Sequence, residues 1–320
     1  MSRRLYYCDH HEIPLPPGHR FPLRKYRMVR ERLAESGFEF EQAPLADAAT
    51  ITLAHDPGYV RGFLEGTLPP AVMRRIGFPW SEGLTLRTLA SLGGTLGATA
   101  DALATGWGGN LAGGTHHAFR GEGSGFCVFN DIAVAILWLR YRGLVSRTAV
   151  LDLDVHQGDG TAQLFENDDS VLTISVHGRH NFPFRKQHSR IDVDLADGTG
   201  DEEYLAVVEK VLVRLLEFAP EIIFYQSGVD ALATDRLGRL SLTPAGLAAR
   251  DLLVMRTVRE SGVPFVVTLG GGYSEPIELT ADAHAITFRT ARAILEPDVT
   301  GFPASAPSCP PNLDHLGPSS

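Results

Sequence analysis

The stretch AVLDLDVHQGDGTA (149–162) runs from a short apolar segment straight into acids and a histidine. Ala149–Leu153 lacks the polar alternation of a half-exposed strand and reads as a strand buried on both faces. Outward from it the pattern recurs. Val171–Val176, Ile222–Tyr225 and Phe265–Leu269 are short apolar or β-branched runs, separated by helical patterns over 129–142, 201–217 and 243–261. Strands alternating with helices predict βαβ units and a mostly parallel sheet. Upstream, Leu5–Cys8 reads as a further strand. Arg24–Glu35 reads as a helix with Tyr26, Val29 and Leu33 at helical spacing and Gly37 as its stop, and Leu84–Leu103 as a longer helix.

At ~100–200 residues per domain, 320 residues allow two domains or one large α/β domain. The 44% hydrophobic and 21% charged fractions exclude a disordered chain. The longest uninterrupted apolar stretch, Ile132–Leu139, falls far short of the ~18 residues needed to cross a bilayer. The opening MSRRLYYCDHHEIPLPP has no apolar h-region, so the expected compartment is the cytoplasm. Cys8, Cys127 and Cys309 are far apart and never in a C-x-x-C pair, which argues against a disulfide framework and against a cysteine-based zinc site. A formal charge of −9 disfavours the counterion release that drives nucleic-acid binding. The glycines cluster at 106–125 and 270–272, where a backbone approaches something closely. One domain is expected over 1–298, followed by a Pro/Ser-rich tail, 299–320.

Ligands of open α/β sheets bind at the C-terminal ends of the strands, so polar residues placed there carry the chemistry. Asp152, Asp154 and His156 project to one side of an extended chain and are costly to bury unless paired or bound to a metal. Two of them plus a third group would make a His/carboxylate site with an open position, the pattern of a catalytic zinc; hydrogen bonding at a strand end is the plainer alternative. YQSGVDALATD (225–235) offers Asp230 and Asp235, the latter in a turn-like setting where capping is its simplest role. GGTHHAF (113–119) places His116 and His117 on a glycine-rich loop, able to face one reaction centre, with Asp152 and Asp159 as orienting carboxylates. LGGGY (269–273) brings glycine backbone and the Tyr273 phenol to the end of another strand, where a phenol can donate to an oxyanion.

These motifs, together with GFCVFND (125–131) and in this order, resemble the histone deacetylase family and its bacterial relatives, the acetoin-utilisation proteins and acetylpolyamine amidohydrolases. DRLGRLSLTPAGLAARD (235–251), VHGRHNFP (176–183) and GFPWSEG (77–83) are most similar to the class IV branch. The resemblance implies the arginase-like fold, a single α/β domain around an eight-stranded parallel sheet flanked by helices. It implies one Zn²⁺ per chain on Asp154, His156 and Asp235. His117, held by Asp159, would be general base and then acid. His116, paired with Asp152, would be its electrostatic partner, and Tyr273 would polarise the scissile carbonyl. Asp152 and Ser175 would hold a structural K⁺. Gly125, Phe126, Phe182 and Gly271 would line an acyl-lysine tunnel with Leu242 near its mouth, and Arg24 would stand by an inner acetate channel.

The implied reaction is hydrolysis of Nε-acyl-lysine amides to lysine and a carboxylate. The rivals are an amidohydrolase of small acetylated amines such as acetylpolyamines, an arginase-like dimanganese hydrolase, and a non-catalytic binder of acylated ligands. GFPWSEG lacks the aspartate with which some relatives grip a substrate backbone, and HNFPF lacks the glycine that follows Phe-Pro in class I members.

Overall fold

The structure, a computed structural model, describes residues 4–296. The expected boundary at 298/299, the tail and Cys309 lie outside the described residues. Eight strands, β1 (Arg4–Tyr7), β2 (Glu39–Gln42), β3 (Trp107–Asn110), β4 (Thr148–Asp152), β5 (Val171–Gly178), β6 (Ile191–Leu195), β7 (Ile222–Gln226) and β8 (Phe265–Thr268), form one sheet in the order β2-β1-β3-β8-β7-β4-β5-β6. Every pairing is parallel. The helices are α1 (Arg24–Ala34), α2 (Ala48–Ile51), α3 (Pro57–Leu64), α4 (Pro70–Ile76), α5 (Glu82–Thr105), α6 (Asp131–Tyr141), α7 (Asp159–Leu164), α8 (Asp201–Glu217), α9 (Pro244–Ser261) and α10 (Ile277–Leu295). This is the expected single α/β domain.

Two apolar cores, one on each face of the sheet, hold the helices. Val29 and Leu33 of α1, Tyr204, Val208 and Leu212 of α8, Val254 and Val258 of α9, and Phe288 of α10 share one core with Leu151, Ile174, Tyr225 and Val267. Leu84 and Leu92 of α5 and Ile132–Ile136 of α6 share the other with Val150, Phe224 and Val266. Adjacent residues of one strand thus feed opposite cores, which is why these strands read as unbroken apolar runs.

Local signals set the helix ends. Ser81 and Thr243 accept hydrogen bonds from the N–H groups of Leu84 and Gly246, capping α5 and α9 at their starts. Left-handed Gly106 and Gly262 terminate the same two helices.

The strand order reverses around β4, which has β5 on one side and β7 on the other. The C-terminal ends of β3, β4, β7 and β8 therefore open onto one crevice, each followed by one of the motif loops.

Candidate active site

β4 ends at Asp152 and hands the chain to a tight segment in which Asp154, His156 and Asp159 are all buried. The Asp152 carboxylate accepts from the backbone N–H of Asp154, and Asp154 accepts in turn from the backbone N–H of His156, which fixes both acids against the strand end. The loop after β8 closes over them: the Gly271 N–H donates to Asp154 Oδ2 at 2.7 Å.

The loop after β3 delivers the histidine pair. His116 Nδ1 lies 2.6 Å from Asp152 Oδ2, and His117 Nδ1 lies 2.6 Å from Asp159 Oδ1. The two rings pack with centroids 4.1 Å apart, and His116 Nε2 points toward Asp154 Oδ1 at 4.0 Å. The loop itself hangs on buried Asp131 at the start of α6, whose carboxylate accepts from the N–H groups of Gly114 and Thr115 and from the hydroxyls of Thr95 and Thr115.

The environments of the two imidazoles are opposed. Burial disfavours charge on His116, but Asp152 and Asp154 outweigh it and lift its pKa to about 9. Burial and the neighbouring His116 push His117 down to about 4 against the pull of Asp159. The two rings thus sit in environments that favour opposite protonation states. Burial also pushes the Tyr273 phenol well above its ordinary range, with nearby carboxylates adding to the effect, so the hydroxyl stays protonated as a donor.

Asp154, His156 and Asp230 offer ligand atoms within 4.8 Å of one another. His156 Nδ1 lies 3.1 Å from an oxygen of each acid. A buried imidazole among carboxylates is the donor set that divalent zinc takes with a position left open. The acids' negative charge raises His156 to about 10 against the effect of burial, the same excess of charge that a dication would neutralise. The residues fit such an ion.

The sequence reading placed Asp235, not Asp230, as the third ligand. In the structure Asp235 lies outside that cluster. Its Oδ1 accepts from the N–H groups of Leu237 and Gly238 and its Oδ2 from that of Tyr273 at 2.6 Å, which ties its loop to the tyrosine. Asp230 reaches the cluster because it leaves β7 four residues after the strand end and meets the N–H of Val155 at 2.9 Å.

One cavity of about 540 Å³ contains these groups. Phe126, Gly125, Phe182 and Gly271 line it as expected. Phe182 packs edge-on to His117 with centroids 4.9 Å apart, and Phe126 lies 6.3 Å from the Tyr273 ring. A Cβ on Gly125, where φ is +55°, would stand 2.6 Å from His117 Cδ2, so only glycine lets the wall pass this close to the base. Phe184, 88% exposed, extends the aromatic wall outward.

Two expectations are corrected. Leu242 is only 1% exposed and belongs to the core: it bridges to Leu232, its N–H donates to Ala231, and Leu237 lines the cavity instead. Arg24 is exposed at the start of α1, and the inward cation is its neighbour Lys25, 1% exposed, with Nζ donating to the Gly270 carbonyl at 3.0 Å. Helical phase decides this case, since Lys25 shares the buried face of Val29 and Leu33. Ser175 lies directly across from Asp152 in the β4–β5 register, with its hydroxyl 3.0 Å from His177 Nδ1. Sequence reading also missed Arg87, a buried cation of α5 on the same cavity; its position on a helix that reads as core gave no signal.

Among the described residues no helix is long and apolar enough to cross a membrane. The family described as "Histone deacetylase domain" matches residues 19–289. An uncharacterized protein of Picosynechococcus sp. is 43% identical over 90% of this chain and 98% of its own length. Histone deacetylase 2 of Arabidopsis thaliana is 31% identical over 80% of this chain and 70% of its own, and human histone deacetylase 1 is 31% identical over 87% and 61%. The crystal structure of the HDA15 HD domain superposes with a TM-score of 0.74 at 21% identity, covering 92% of this chain and 90% of that one, which establishes the common fold. Matched along most of its length by the family and by its curated relatives, the chain belongs to the histone deacetylase family.

Proposed function

We propose that the chain is a zinc-dependent lysine deacylase that hydrolyses Nε-acyl-lysine amides. The observation that carries this reading is the pair of oppositely poised imidazoles, His116 and His117, facing Asp154 and His156 within a cavity that Tyr273 also lines. Zn²⁺ on Asp154, His156 and a carboxylate of the 230–235 loop would supply Lewis acidity that polarises the amide and brings a water's pKa from 15.7 toward ~7.

The chain's own groups do the rest. His117, a free base at neutral pH, takes the water proton while Asp159 holds its Nδ1. His116, kept cationic by Asp152, offsets the negative charge that develops. The Tyr273 hydroxyl donates to the oxyanion, and His117 returns its proton to the lysine nitrogen as the C–N bond breaks. The released carboxylate meets Lys25. Asp152 and Ser175, opposite each other on β4 and β5, are the residues we assign to a structural K⁺.

Among the described residues only Asp154 and Asp230 contribute carboxylates to the cavity lining, and both are buried, so none of these residues is an acid placed to receive the second cation of an acetylpolyamine. This favours acyl-lysine over small acetylated amines. The deciding experiment compares an acetyl-lysine peptide, a long-chain acyl-lysine peptide and N-acetylputrescine on one preparation whose metal content is measured. We expect peptide turnover with one zinc per chain. Hydroxamate binding without release of any carboxylate would identify a non-catalytic binder, and two manganese ions per chain an arginase-like enzyme. Geometry favours Asp230 as third ligand and the family resemblance favours Asp235; zinc content of Asp230→Asn and Asp235→Asn decides between them.

A further inference from the structure

The cavity does not end at the reaction centre. Its lining also takes in Ile13, Tyr26, Leu84 and Leu92 together with the buried side chains of Arg87 and Lys25. Lys25 Nζ lies 5.4 Å from the centre of the Tyr273 ring and 5.3 Å from that of Tyr26, and the Arg87 guanidinium lies 4.4 Å from the same Tyr26 ring. The residues thus form a chain of contacts from reaction centre to Lys25 to Tyr26 to Arg87. Both cations are buried, at 1% and 6% exposure. Arg87 donates to the carbonyl of Cys8 and Lys25 to that of Gly270, and among the described residues neither makes an ion pair with a carboxylate. The other buried arginine, Arg250, shows the usual solution, an Asp251 partner at 2.9 Å.

Buried charges are ordinarily paired, and a cation left facing an internal cavity is satisfied by an anion that enters it. The acids that act on Lys25 from a distance are Asp230, Asp154 and Asp235, the same groups assigned to the metal, whose charge a dication would take up. An acetyl group carries no charge that could pair with Arg87 or Lys25. A plain fatty chain would press a methyl end against a buried guanidinium and strip its remaining solvation.

We propose, resting on the deacylase reading above, that the inner end of the cavity is a carboxylate subsite, and that the preferred substrate is lysine carrying a dicarboxylic acyl group of the succinyl or glutaryl type. The free carboxylate of the acyl chain pairs with Arg87 and Lys25, while the apolar walls take its methylenes. The reaction is ordinary hydrolysis: the water oxygen bonds to the acyl carbon, the amide C–N bond breaks, the water proton goes to the lysine nitrogen, and the dicarboxylate leaves.

The test uses one peptide sequence bearing acetyl, butyryl, succinyl, valeryl or glutaryl lysine, with the full chain and its Arg87→Met variant. We expect kcat/KM for glutaryl over valeryl, or succinyl over butyryl, to exceed tenfold, and Arg87→Met to bring that ratio close to one. The ratio is insensitive to a loss of folded protein, because both substrates see the same sample. Turnover of acetyl or valeryl peptide at least as fast as of the dicarboxylic ones would overturn the subsite and leave the cations a role toward the released product alone. If no acyl-lysine is cleaved, the deacylase reading fails, and calorimetry decides the subsite separately: glutarylated peptide binding at least tenfold tighter than valerylated peptide supports it, and equal affinities overturn it.

Discussion

At the scale of the residue, function divides between side chains that resemble each other. His116 and His117 are neighbours in sequence and each is held by an acid, yet the carboxylates of Asp152 and Asp154 lift one while burial and the adjoining ring push the other down. In the proposed reaction Tyr273 serves through its hydroxyl, so Tyr273→Phe should lower kcat by about 10²–10³-fold while zinc content stays unchanged. A third histidine sets a limit at acid pH. His55 accepts from the N–H of Asn130 through Nε2, which leaves Nδ1 to donate to the Phe119 carbonyl, and burial lowers its pKa to about 4. Unfolded, it takes a proton near 6.5. Between these two values the unfolded chain binds the extra proton, so the His55 contribution is complete above pH 6.5 and falls by roughly 3 kcal/mol as pH drops to 4. Denaturant melts at several pH values should show a shallower acid slope in His55→Gln than in the parent.

Much at this scale was legible. Asp154, His156, both loop histidines and Tyr273 stand where strand ends deliver them, and a strand end can be read from an apolar run that stops. Lys25 and Arg87 were not, because which residue of a helix faces inward depends on helical phase, and of the two acids offered by 225–235 the loop path decides which one approaches His156. Leu242 failed for a related reason: a loop leucine reads as easily as tunnel rim as it does as core.

At the scale of the element, the strands that sequence reading found are short runs rich in apolar or aromatic residues, and those it missed depart from that pattern. β2 and β6 are the outer strands, with sequences EFEQ and IDVDL that alternate polar and apolar as half-exposed strands do. β3 is WGGN, four residues without a β-branched side chain. Its glycines answer to close packing and not to strand propensity: a Cβ on Gly108 would lie 2.0 Å from the Ala98 carbonyl oxygen of α5, and one on Gly109 would lie 2.6 Å from Leu5 Cδ2. This strand launches the histidine loop, whose shape is then held by Asp131. Replacing that carboxylate by an amide in Asp131→Asn exchanges an acceptor oxygen for a donor amid four donors. We expect a loss of about 1–3 kcal/mol in denaturant stability together with a fall in kcat, since the same contacts aim both imidazoles.

At the scale of the whole molecule, the fold class followed from alternation alone, whereas the strand order did not. Neighbouring strands such as β3 and β8 are far apart in the chain, and apolar patterning carries no signal for which strand joins which. The proposed metal, held by the acidic cluster, would couple to the stability of the entire domain. Ligands that bind only the folded state stabilise it by about 4 kcal/mol at a thousandfold excess over Kd. Zinc should therefore raise Tm in a concentration-dependent way, a chelator should lower it, and Asp154→Asn should abolish the dependence; scanning calorimetry reads all three.

The order of strands in the sheet also fixes a timetable for biosynthesis. Because β8 sits between β3 and β7, the centre of the sheet stays open until residues 265–268 have been made. Tyr273 and the Gly271 amide that seats Asp154 emerge later still. A nascent chain on the ribosome thus carries its histidines and acids before they can converge, and the proposed metal site is complete only once the segment through Tyr273 has been made.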